Sequence, residues 1–76
     1  MDYKNFGKNV KRIRQSRQLS ITDFSLRTGI KRSTLSSIEN GKFANVLKAI
    51  DSISTVLEFK IDSLFYLTPD ITIRMR

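Results

Sequence analysis

Arg32, Ser33, Ser36, Ser37 and Asn40 crowd into a stretch of nine residues, 32–40. Set on a helix at about 100° per residue with Arg32 at zero, Ser36 falls near 40°, Asn40 near 80°, Ser33 near 100° and Ser37 near 140°. Thr34, Leu35 and Ile38 gather at about 200–300° on the same geometry. One face is apolar and turns inward; the other is a strip of one guanidinium with short hydroxyl and amide side chains. The chemistry open to such a strip is hydrogen bonding. Arg can grip a guanine edge with two bonds, and Ser or Asn can bond bases or phosphates, if the helix lies close in a major groove.

Bond-making chemistry has little to work with. The chain has no His, which removes the commonest metal ligand and the commonest general base near neutral pH. It has no Cys, hence no disulfide framework, no thiolate zinc site and no thiol nucleophile. No metal or cofactor is expected, and an enzyme is remote. With 76 residues there is room for one small domain. No apolar run approaches the roughly 18 residues of a membrane span, and the Lys-rich start lacks a signal-peptide core, so a cytoplasmic protein is expected.

Charge is unevenly placed. The formal charge is +7, and Met1–Lys42 carries ten bases against three acids, whereas residues from Phe43 onward carry four of each. The excess lies wholly in the N-terminal half, which suits a polyanion there and a neutral half behind it.

The elements that must hold the strip read as short helices. Phe6, Val10 and Ile13 stripe a first helix ending near Gln18. Ser20 with Asp23 three residues on matches a capping box, opening a second helix over 21–28 with Phe24 inward. Gly29 suits the left-handed residue that ends it, and Gly41 closes the third helical stretch, 30–40, in the same way. Val46, Ile50, Ile53 and Leu57 form the seam of a fourth helix, and Ile61, Leu64 and Phe65 the buried side of a fifth. After Pro69, Ile71, Ile73 and Met75 alternate with polar residues as in a strand. A lone strand lacks a ladder partner, so it pairs with another copy or frays. Two helices joined by the turn Gly29-Ile30-Lys31 in a basic region make a helix-turn-helix pattern.

From about Asn9 to Phe65 the chain resembles the lambda-type phage repressors, Cro and the XRE regulators. The resemblance is carried by Val10-Lys11-Arg12-Ile13-Arg14, Leu19-Ser20, Gly29-Ile30 and the run from Ser33 to Lys42, with Leu47, Ile50, Ile53 and Leu57 behind it and Ile61-Asp62-Ser63-Leu64-Phe65 after it. It implies an all-α, five-helix domain over 1–68, with the helix-turn-helix at the second and third helices and a tail, 69–76, able to pair as a short strand across a dimer. It implies base contacts from Arg32, Ser33, Ser36 and Ser37, and phosphate contacts from Arg17, Thr22, Arg27, Lys31, Asn40 and Lys42. Three positions depart from the family pattern. Ile21 replaces a Gln that braces a phosphate or a recognition side chain, so that contact is either missing or made by another residue such as Thr22. Lys31 replaces the usual Ser or Thr cap of helix 3, at a cost on the order of 1 kcal/mol. Glu58 stands where Gly commonly ends helix 4, so a left-handed cap is not expected there.

The expected activity is sequence-specific binding of double-stranded DNA, by a homodimer on a palindromic operator, in transcriptional repression in a prokaryotic cell or phage. The dimer surface is expected at Phe65, Tyr66 and Leu67, with Ile71, Ile73 and Met75 across the two-fold axis. Plainer readings stand beside these. Lys and Arg on helix 1 either anchor phosphates or form a solvated face, Glu39 can be a structural ion pair, and Phe24 and Phe59 core. Two functional alternatives are an antitoxin-type protein that binds a partner protein and regulates itself through this domain, and a basic module on membrane surfaces. The second would require the helix 1 stripe that the core needs.

Overall fold

The computed structural model describes residues 3–42 and 46–66, except the side chains of Tyr3, Val46 and Leu47. Within them the chain is all-helical: α1 (Tyr3–Ser16), α2 (Ile21–Thr28), α3 (Arg32–Glu39), α4 (Val46–Leu57) and α5 (Ile61–Tyr66). The expected helices are present with these bounds, and the proposed tail strand, Leu67 and Phe43 lie outside the described residues.

The apolar stripes meet in one core. Phe6, Val10 and Ile13 of α1, Phe24 of α2, Leu35 and Ile38 of α3, Ile50, Ile53 and Leu57 of α4, and Leu64 and Phe65 of α5 are all buried. Helix α1 is the hub, packed on α3, α4 and α5, while α2 bridges α3 and α4. Two features make α1 fit. Gly7 lies so close to α3 that an added Cβ would sit 2.1 Å from the Ile38 carbonyl oxygen. On the α5 side, Asn9 is fully buried and donates to the Leu64 carbonyl at 2.7 Å, and Asn5 one turn earlier donates to that of Phe65. These amides satisfy carbonyls that the end of α5 leaves without helical partners.

Four helices end on a left-handed residue: Gln18, Gly29, Gly41 and Glu58, at φ 59°, 74°, 80° and 59°. After α3, the Lys42 N–H bonds the Ser37 carbonyl at 2.9 Å and the Gly41 N–H that of Ile38 at 3.0 Å, the paired bonds of a Schellman motif. Glu58 does the same for α4, with Phe59 N–H on the Ser54 carbonyl at 3.2 Å. The expectation that Glu58 would spoil this cap is therefore corrected: the bonds hold a non-glycine residue in the left-handed region at a steric cost. The Ser54 hydroxyl also bonds the Phe59 carbonyl.

Phe65 also needs correction. It was assigned to a dimer surface, but only 2% of it is exposed, and its ring stacks on Phe6 with centroids 4.7 Å apart. Its neighbour Tyr66 is 73% exposed. Phe65 points inward because α5 needs an aromatic to close the core end of α1.

Candidate nucleic-acid interface

The α2–α3 corner is built by short polar side chains. Ser20 takes extended backbone angles, and its hydroxyl accepts the Asp23 N–H at 3.0 Å, which starts α2 cleanly. At the other end the Gly29 N–H bonds the Ser25 carbonyl at 2.9 Å. Thr28 is bonded both ways: its hydroxyl donates to the Phe24 carbonyl at 2.8 Å and accepts the Ile30 N–H at 3.2 Å. The Ser25 hydroxyl donates to the Ile30 carbonyl. The chain thus turns in three residues, and α3 begins at Arg32 with its position fixed against α2.

Helix α3 presents the two faces that its periodicity predicts. Leu35 and Ile38 are buried, Arg32, Ser33, Ser36 and Asn40 are exposed, and Thr34 and Ser37 are half-buried. Lys31 precedes the helix with no side-chain cap bond, as expected, and only its carbonyl takes part, accepting the Leu35 N–H at 3.0 Å. Lys31, Arg32, Ser33, Ser36 and Asn40 line an open groove of about 800 Å³, together with Lys11 of α1.

The acid at this groove is already neutralised. Glu39 faces Arg14 of α1 in a two-pronged ion pair, Nε to Oε2 at 2.7 Å and Nη2 to Oε1 at 3.0 Å, and Arg14 Nη1 also bonds the Leu19 carbonyl at 2.8 Å. Both side chains are nearly covered, with 11% and 6% exposed. Glu39 is the structural ion pair that the plain reading described. The pair cancels one charge of each sign, and Lys11, Lys31 and Arg32 remain as the groove's cations.

A family model described as a helix-turn-helix domain matches residues 7–67. The chain belongs to that family. Neither the curated proteins nor the solved structures yield a match. The matched span runs from the first turns of α1 past the end of α5, so the helix-turn-helix domain comprises the five-helix core as well as the α2–α3 corner.

Within the helix-turn-helix domain, Arg32, Ser33, Ser36, Lys31 and Asn40 come together at one groove. Ser37 is half-buried, beside the strip, and Lys42 is exposed just after α3. Thr22 is exposed on α2, where its hydroxyl accepts a bond from Arg32 Nη1 at 3.4 Å. Ile21 is half-buried against the core. Two expected phosphate residues sit elsewhere. The Arg17 guanidinium lies over the Phe59 ring, 5.6 Å from its centroid, and Arg27 lines a shallow depression with Asp51, Ser52 and Thr55 of α4. The sequence reading missed Ser25 and Thr28 as turn-builders and the partner of Arg14. Hydroxyls beside Gly29 were the available signal for the first, and nothing local marked the second.

Among the described residues no cluster of His, Cys, Asp or Glu could hold a metal ion, and no helix is long and apolar enough to cross a membrane.

Proposed function

We propose that this helix-turn-helix domain is of the lambda-repressor and Cro type and works as a sequence-specific transcriptional regulator, acting chiefly as a repressor. The observation that carries the reading is the exposed strip Arg32–Ser33–Ser36–Asn40 on a helix whose opposite face is locked in the core. Small side chains let such a helix approach the floor of the major groove, where Arg32 bonds a guanine and Ser33, Ser36 and Ser37 bond neighbouring base edges. Lys31, Asn40 and Lys42 flank the strip and take phosphates, supplying affinity that falls with salt and carries no sequence information. The Thr22 hydroxyl, which accepts from Arg32, keeps its own O–H to donate to a phosphate.

One recognition helix spans few base pairs, so two copies act together on a palindrome with half-sites about 34 Å apart. Tyr66, exposed at the end of α5, lies on the proposed dimer surface, with Leu67, Ile71, Ile73 and Met75 of the following segment. Selecting bound sites from a random duplex pool tests this reading. A palindrome at that spacing supports it, and recovery of unrelated sequences with no common site refutes sequence-specific regulation.

A further inference from the structure

Beside the α3 groove lies a second one, lined by Lys4, Lys8, Lys11 and Arg12 of α1 and by Asn40 and Gly41 at the end of α3. The two grooves adjoin, with Lys11, Asn40 and the neutralised Glu39 bordering both. Lys4, Lys8 and Lys11 are exposed and follow one another at spacings of four and three, one ridge along α1. From Lys4 to Lys11 the ridge runs about 10 Å, at a rise of 1.5 Å per residue. Successive lysines rise about 6 and 4.5 Å along α1, wider than the axial spacing of about 3.4 Å between phosphates of one strand, and their long stems let each ammonium reach a phosphate of its own. Glu39 is the one acid bordering either groove among the described residues, and Arg14 already holds it. Backbone close approach helps on the α3 side: a Cβ at Gly41 would lie 2.9 Å from Lys4 Cγ, so the lysine stem rests on bare backbone at the groove's edge.

We infer that the α1 ridge Lys4–Lys8–Lys11 is a second phosphate track, which binds the duplex flanking the half-site read by α3. This rests on the proposed reading of α3 and extends its footprint past the specified bases. Charge complementarity selects the occupant: a row of cations beside the base-reading groove fits the phosphate backbone of the same duplex.

The test uses the full chain and the triple variant Lys4→Gln/Lys8→Gln/Lys11→Gln, which keeps the side-chain stems. Each is titrated against the selected site trimmed to its outermost specified base pair, and against the same site with one turn of flanking duplex. On the long duplex the variant should bind more weakly, and its log-affinity against log-salt slope should be shallower by about 2.7, at roughly 0.9 per phosphate contact. The gap between parent and variant should then shrink roughly 40-fold from 50 to 200 mM salt. On the trimmed duplex only Lys11, which also borders the α3 groove, should still count, so the two slopes should differ there by no more than about 0.9. Equal binding on the long duplex overturns the track, and so does an equal loss on both duplexes. If the parent selects no site, the α3 reading itself has failed, and the track falls with it.

Discussion

Arg14 and Glu39 stand 25 residues apart in sequence and form a two-pronged, nearly covered ion pair that ties α1 to the end of the recognition helix. Its geometry is that of a guanidinium fork on a carboxylate, the strongest form of such a contact. It sets the axial position of α3 and silences the one carboxylate at the groove among the described residues.

Removing one partner leaves the other buried without a counter-charge. Glu39→Ala should therefore lower stability by about 3–5 kcal/mol, measured by urea unfolding. Arg14→Met/Glu39→Leu should recover most of that loss, because an apolar pair fills the space without an unpaired charge. A double variant as unstable as the single one would count against the ion-pair account.

Gly7 makes the α1–α3 contact possible. Gly7→Ala would place a methyl 2.1 Å from the Ile38 carbonyl oxygen and force the helices apart. Despite alanine's better helix propensity, stability should fall by about 1–3 kcal/mol. A melting temperature equal to or above the parent's would mean that α1 and α3 are not this close.

The left-handed caps predict the opposite sign. Gln18 and Glu58 hold positive φ without being glycine. Glu58→Gly should relieve steric strain and raise stability by up to about 1 kcal/mol, after the flexibility that glycine adds to the unfolded chain. Chemical denaturation of Glu58→Gly beside Gly29→Ala checks it, since the latter should destabilise although open space surrounds that Cβ.

How much of this was legible beforehand follows from the range of each interaction. Ser20, Gly29 and Gly41 act within four residues of themselves, so chemistry and spacing disclose the α2 start and two helix ends. The faces of α3 follow from its period alone. What stayed hidden depends on a partner far along the chain: Gly7 on α3, Asn5 and Asn9 on the last turn of α5, Arg14 on Glu39, Arg17 on Phe59. The period of α5 put Phe65 on its buried side, which holds, whereas its second assignment to a dimer surface does not, because the Phe6 ring that covers it lies far along the chain. At Glu58 the residue type misled, because two backbone bonds outweigh the preference for glycine.

Thr22 separates positioning from anchoring. If its hydroxyl orients Arg32, Thr22→Val should leave the salt dependence of DNA binding unchanged and weaken discrimination at one base pair. A uniform loss on all sequences with a shallower salt slope would make Thr22 a phosphate contact instead. Lys42→Ala should show that second pattern.

The central claim is that Arg32 reads a base. Bound sites are selected from a random duplex pool with the parent and with Arg32→Ala, and affinities are measured on the parent's site and its single-base variants. The account predicts one palindrome for both proteins, with one position per half-site turned degenerate by Arg32→Ala and discrimination there falling by about 1–3 kcal/mol. An equal loss of affinity on every sequence, with preferences intact at all positions, would contradict it.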